Sequence, residues 1–350
     1  VPPGVVDDDA LLAGVDPGQV DSYAGSLVGN DGDADPTPVR ADWVSLLSLH
    51  HENWPMPNGN VLALSTTTHE LTNDQRAVLC PGDPIEFDVI SDVIVEYEPD
   101  GTVLRTWDLW DAIDVMEFPG SVMCEDDSLF AEPEHRDWTH ANSVVYDPDR
   151  DVVITSVRHT DQIIALDHLD DLGPQQSVRW VLGAGATMPL DGEPTYHQHA
   201  VEVTDDGALI VFDNGNGRPG TSPDDPDNLP YSRAVVFDVD DQGTDPAEWS
   251  ATQRWEYRMD DDGSPVFASF ISDADVLANG NVLITFGGIG TFPANDVDPL
   301  GLIVVEVVPT GESGGDTVME LRSVLPETAY RAERIESFYV GPDWEPAAAD

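Results

Sequence analysis

One grammar recurs four times along the chain and limits what it can fold into. The stretches "HENWPMPNGNVLALSTTT" (51–68), "HANSVVYDPDRDVVITSVRHT" (140–160), "HAVEVTDDGALIVFDNGNGR" (199–218) and "SDADVLANGNVLITFGGIG" (272–290) share one order: a short strand-like run, an Asn-Gly, Asp-Gly or Asp-Arg turn, and a β-branched run. That is a hairpin signature. A second pair of strand-like runs follows each: "DVIVEYEPDGTVLRTWDL" (92–109), "QIIALDHLDDLGPQQSVRWVLG" (162–183), "RAVVFDVDDQGTDPAEWSATQRWEYR" (233–258) and "GLIVVEVVPTGESGGDTVMELRSV" (301–324). Four strands per unit, with tryptophan or another apolar residue in the last, is the layout of a propeller blade. The expected fold is therefore all-β, a β-propeller with four complete four-stranded blades readable. A sandwich would supply strands but not the recurring unit. Helical periodicity is confined to "DALLAGVDPGQVDSYAGSL" near the start. Residues 1–42 read as an acidic extension or partial blade, 43–341 as the propeller, and 342–350 as a tail, with "AYRAERIESFYV" (329–340) a candidate closing strand.

Charge sets the company the chain can keep. It carries 68 acidic and 14 basic residues, a formal net charge of −54, and every basic residue is an arginine. Nucleic acid and anionic membranes are excluded as partners by repulsion. The aspartates gather in turns such as "DPDRD", "DDDG" and "SPDDPDN", as on the hydrated surface of a salt-adapted protein. No run approaches the length of a membrane span, and no charged-then-apolar leader opens the sequence, which starts at Val1 without methionine. Cys80 and Cys124 both lie in polar, turn-rich surroundings, which points to a disulfide between loops, with two free thiols as the alternative. Neither belongs to a C-x-x-C, so a zinc or dithiol role has no support.

Counting back from the turn glycine, His199 lies eight residues before Gly207 and His51 eight residues before Gly59. This register puts His51, and not its neighbour His50, on the face used by His199. His140 opens the hairpin with the longer "DPDRD" turn. Because the start of a hairpin's first strand lies beside the end of its second, Arg158 returns towards His140, and Asn214 to Arg218 towards His199. First strands of blades line a propeller's channel, so His51, His140, His199, Asn142 and Arg158 are expected to face one another. Such a cluster is either a metal site or an anion site with a reactive histidine. Three histidines can hold zinc, but no carboxylate occupies the matching positions. Arg158 favours the anion, since its planar fork suits sulfate or phosphate and disfavours a neighbouring cation. Asn214, Ser232 and Arg233 approach the same rim as candidate substrate contacts, with carboxylate pairing the alternative for Arg233. Ser272 takes the histidine register of the fourth unit. No D-x-[DN]-x-[DN]-G calcium loop is present.

The segments "DWTHANSVVYDPDRDVVITSVRHTDQIIALD" (137–167), "YHQHAVEVTDDGALIVFDNGNGRP" (196–219) and "YSRAVVFDVD" (231–240) resemble the arylsulfate sulfotransferases that work without phosphoadenosine phosphosulfate, over about residues 43–340. The resemblance implies a six-bladed propeller, export to an extracellular, periplasmic or cell-surface location, and a channel histidine that becomes transiently sulfated. Carried over by motif, that nucleophile is His199, with His51, His140, Asn142 and Arg158 around the sulfuryl group and His197 second in line. It implies small-molecule partners, an aryl sulfate and a phenol, and no cofactor. Two other classes compete with it: a metal-dependent propeller hydrolase using the histidines as ligands, and a non-catalytic binding propeller.

Overall fold

The computed structural model describes residues 49–80, 87–119, 135–168, 177–290, 300–324 and 326–335. The 1–42 extension with its helical stretch, the 342–350 tail and Cys124 lie outside them. Each of the four repeated units forms one sheet of antiparallel strands, to which short strands add in parallel, His135–Asp137 in the first and Leu190–Asp191 in the third. The first sheet runs Leu49–Pro55, Val61–His69, Asp88–Tyr97, Val103–Asp108; the second runs Ala141–Asp147, Val152–Val157, Gln162–Asp167, Val178–Gly183. The third runs His199–Val203, Leu209–Asp213, Arg233–Asp240, Ser250–Arg258. In the fourth, Ala268–Phe270 and Asp273–Val276 both pair Val282–Ile289, which is followed by Gly301–Pro309 and Gly315–Arg322. The chain is thus all-β, each sheet built on consecutive antiparallel strands as the repeat requires. The first strands stand side by side in sheet order.

Middle strands read as unbroken apolar runs because both faces of each inner sheet are covered. Val144, Val153 and Ile164 of the second sheet pack on Leu62, Leu64 and Ile94 of the first. Their neighbours Val145, Val152 and Ile163 turn the other way onto Val201, Leu209 and Val235 of the third. Ile210 and Val236 then meet Ile284 and Val305 of the fourth. The period-2 alternation of a strand thus feeds two separate cores at once.

Arginines clamp this stack. The buried Asp241 carboxylate, at the end of the third sheet's third strand, accepts from Arg150 Nε at 2.9 Å, Arg179 Nε at 2.8 Å and Trp180 Nε1 at 2.9 Å, all from the second sheet. Two short helices, Asn73–Leu79 and Leu109–Ala112, depart from the strand-only expectation; the first starts at a capping box of Thr72 and Gln75. The described part of 329–340 forms no strand. Cys80 is disulfide-bonded. No helix among the described residues is long and apolar enough to cross a membrane.

Candidate functional site

Three of the four first strands break register where they reach one end of the sheets, between His50 and Asn53, Ala141 and Ser143, and His199 and Glu202. At these breaks, and at the corresponding point of the fourth sheet, non-glycine residues take positive φ: His51 (56°), His140 (50°), Ala200 (53°) and Ser272 (91°). Bulges and αL residues re-aim side chains and cost backbone energy, and they concentrate at functional sites. Here they gather imidazoles. The His51 ring lies edge-on to His140 at 5.1 Å and to Tyr330 at 5.8 Å, and His199 lies 6.1 Å from Tyr330.

The register of His51 needs correction. His50 faces Leu64, five residues after Gly59, and His199 faces Phe212, five residues after Gly207, so His50 is the cross-strand equivalent of His199. Counting from the glycine missed this because the bulge adds one more residue in the first sheet than in the third. His51 still joins the cluster, placed there by its positive φ. His50 hydrogen-bonds His51 through their Nδ1 atoms at 2.6 Å and reaches Asp92 with Nε2 at 3.1 Å.

His199 is 2% exposed. Its Nδ1 is 2.7 Å from Asn214 Oδ1, while Asn214 Nδ2 donates to the carbonyls of Ala268 at 2.7 Å and Ile271 at 3.0 Å. The amide oxygen therefore faces the ring, and Nδ1 carries the hydrogen. Nε2 is left with its lone pair. Burial, and then the charge of Arg158, hold the His199 pKa well below the ordinary 6.5. The ring is neutral at physiological pH.

Arg158 leaves the second sheet beside His140, its backbone N–H bonded to the His140 carbonyl, and sends Nη2 to the Ser269 carbonyl of the fourth sheet at 3.2 Å. Among the described residues it makes no ion pair, although carboxylates dominate this chain. Burial draws its pKa below the ordinary arginine value. The carboxylates of Asp137 and Asp161 act on this half-buried guanidinium only through their charge, and such a group beside a neutral imidazole suits an anion.

His140 Nδ1 is bound to the Asp137 carboxylate. Burial pushes that carboxyl up, but the charge and hydrogen bond of His140 outweigh it and hold Asp137 below its ordinary value. Asp137 is thus an acceptor for His140 Nδ1, which leaves Nε2 as the nitrogen on the side of the ring away from that carboxylate. His159 stacks on His140 at 4.6 Å, with Nδ1 on the Asp137 carbonyl at 3.0 Å. Ligand atoms of Asp137, His140 and His159 lie within 4.8 Å of one another. The carboxylate that the sequence pattern left missing from a metal set is therefore present. Although His51 opens to the surface, the protein packed around it, then His140 and His50, lower its pKa to about 3.

Several expected substrate contacts are part of the frame instead. Asn142 and Asn214 are each 0% exposed. Asn142 Nδ2 is committed to the Gln198 carbonyl at 2.8 Å, so it fixes the peptide that carries His199 rather than reaching outward. Ser232 Oγ donates to the Asn214 carbonyl at 2.7 Å. Arg233, also 0% exposed, gives Nε to Asp213 at 2.8 Å and Nη1 to Glu256 at 2.6 Å. Of its carboxylate partners, Asp213 is buried and Glu256 and Glu193 are half-buried. Arg218 joins the same network through Asp213 and Glu193. Ser272 accepts from the Gly287 N–H at 3.0 Å as a buried wall residue. His197 is held by Asp161, through ring and backbone, at 2.9 and 2.6 Å. Tyr330, whose hydroxyl donates to the Asn142 carbonyl at 3.1 Å, has no signal in the repeat because its segment belongs to no strand. Asp137 was legible as the acid three residues before His140.

Comparison with known proteins adds an independent line. The chain is 26% identical over 290 residues to the arylsulfate sulfotransferase AssT of Escherichia coli, covering 68% of this chain and 45% of that protein. It is 26% identical over 212 residues to AssT of Lelliottia amnigena, covering 46% and 34%. The chain thus matches less than half the length of these curated relatives. Among solved structures it is similar to a putative 6-phosphogluconolactonase from Bacteroides uniformis (13% identity, 78% and 71% coverage, TM-score 0.36). The GH93 α-L-arabinofuranosidase of Fusarium graminearum is a further match (13%, 78% and 66%, TM-score 0.31). A family model described as arylsulfotransferase (ASST) matches residues 43–331, a span that holds every histidine, Arg158 and Tyr330. On that match, the chain belongs to the arylsulfotransferase family.

Proposed function

We propose that the chain moves a sulfuryl group from an aryl sulfate to a phenol in two displacements through His199. The observation that carries this is an Arg158 with no ion-pair partner among the described residues, set beside a neutral His199 whose Nε2 keeps its lone pair. A sulfuryl group spreads its charge over peripheral oxygens in a loose transition state, as a phosphoryl group does, so positioned donors are what it needs. In the first step His199 Nε2 bonds to sulfur as the S–O bond to the aryl group breaks. The departing phenolate takes a proton from His140 Nε2. In the second step the acceptor phenol returns that proton to His140 as its oxygen bonds to sulfur, and the N–S bond breaks to restore neutral His199. His140 is the better proton carrier of the two candidates, since it is paired with Asp137 whereas His51 stays neutral to about pH 3. Arg158 holds the sulfuryl oxygens; Asn142 and Asn214 are positioning residues.

From the same resemblance, the four sheets are read as blades of a closed propeller of six and the protein as exported. From the composition, its charge is read as adaptation to salt. Incubation with an aryl sulfate and a phenol tests the activity: sulfated acceptor should accumulate in step with released phenol. Release with no sulfated acceptor would mean hydrolysis. That outcome belongs to the second reading, a metal-dependent hydrolase, which the Asp137, His140 and His159 set favours. Arg158 opposes it, because its charge bears on both Asp137 and His159 where a cation would sit.

A further inference from the structure

Further along the first strands stands a second group of side chains that sulfuryl transfer does not use. Glu202 of the third sheet and Asp273 and Asp275 of the fourth each offer an oxygen, and these lie within 4.8 Å of one another. Asp273 is 2% exposed, and its Oδ1 makes no hydrogen bond. None of the three carboxylates has an ion-pair partner among the described residues. Arg331 lies within electrostatic reach, but its terminal nitrogens pair with Glu52 at 2.6 and 3.3 Å. Glu202 and Asp275 are in hydrogen-bond contact with each other, and the three groups repel when charged. A buried acceptor with no donor, beside two further carboxyl groups, is an arrangement that a cation would satisfy.

We propose that Glu202, Asp273 and Asp275 bind a hard divalent cation of the Ca²⁺ type, which ties the third sheet to the fourth. Oxygen-only donors exclude the soft metals that choose thiolate or imidazole. Ligand type and number choose between the hard ones. Ca²⁺ accepts several carboxylates in flexible geometry, whereas Mg²⁺ is usually held by one or two and keeps most of its waters. Three carboxylates gathered this closely suit Ca²⁺ better. Glu202 and Asp275 are only half-buried, so water can complete the shell. The site is separate from the imidazoles and does not depend on the reaction assigned to them.

The test is calorimetric titration of chelator-stripped protein with CaCl₂, then MgCl₂, in constant NaCl, paired with thermal midpoints. Wild type should show one saturable Ca²⁺ site and a midpoint raised by Ca²⁺, with Mg²⁺ weaker. Glu202→Gln with Asp275→Asn should lose both responses yet fold at least as stably without metal, because its repulsion is relieved. Asp275→Asn alone, a milder change should the double variant not fold, should weaken binding by at least about tenfold. Broad, unsaturable Ca²⁺ uptake in wild type, or a site of equal strength in the Asp275→Asn protein, would overturn the assignment and leave a cluster that takes up protons only.

Discussion

His199 is oriented by an amide where many reactive histidines have a carboxylate, and the difference is chemical. A carboxylate on Nδ1 stabilises imidazolium; Asn214 Oδ1 fixes the tautomer without adding charge, and burial and Arg158 then keep Nε2 unprotonated. Because the His199 pKa is depressed, its neutral form persists as pH falls past the ordinary value. Sulfation by a nitrophenyl sulfate, whose leaving group needs little protonation, should therefore stay flat from about pH 8 to about pH 6. Asn214→Asp should raise the His199 pKa and make the same rate fall within that range, as stopped-flow nitrophenol release would show. Arg158 is read as a planar clamp, so lysine should not replace it. Arg158→Ala should lower turnover by about 10²–10³, the loss typical of one transition-state donor, and Arg158→Lys by less but still clearly. Wild-type turnover in the lysine variant would reduce the role to bare charge. Arg158 and His140 were legible in sequence because hairpin geometry alone returns one to the other. Asn142 and Arg233 were misread, since polarity near a rim looks the same whether the side chain faces substrate or locks the frame, and only burial separates the two.

At the scale of elements, the turn signals and β-branched runs carried the four sheets directly, because the middle strands have two apolar faces to bury. The bulges did not show in that pattern: an extra residue in one strand leaves composition unchanged while it moves the side chains beyond it. The helix at Asn73–Leu79 had a readable signal in Thr72-x-x-Gln75 but is too short to show helical periodicity. The scarce arginines also escaped notice as clamps between sheets. Asp241, 0% exposed, holds Arg150, Arg179 and Trp180 across the boundary of the second and third sheets. Asp241→Ala should cost about 2–3 kcal/mol in denaturant unfolding, since it leaves the buried Trp180 indole N–H without its acceptor and removes one of two carboxylates from Arg150 and from Arg179, which keep Asp147 and Asp167. A loss under about 1 kcal/mol, the range of exposed ion pairs, would mean that water replaces the carboxylate freely.

Across the whole molecule, −54 formal charges repel one another wherever screening is weak. The Debye length falls from about 30 Å at 0.01 M salt to about 3 Å at 1 M, so the thermal midpoint should climb steeply between them. A midpoint unchanged over that range would remove the salt-adaptation reading. Against this acidic background an arginine with no ion-pair partner among the described residues, beside a neutral histidine, is the least expected local arrangement, and it is where transfer is assigned. The direct measurement is the intact-protein mass after exposure to an aryl sulfate with no acceptor. Wild type should gain one sulfuryl group, lose it when a phenol is added, and His199→Ala should gain none while keeping its fold. An unlabelled wild type that still releases phenol, or a labelled His199→Ala, would contradict transfer through His199.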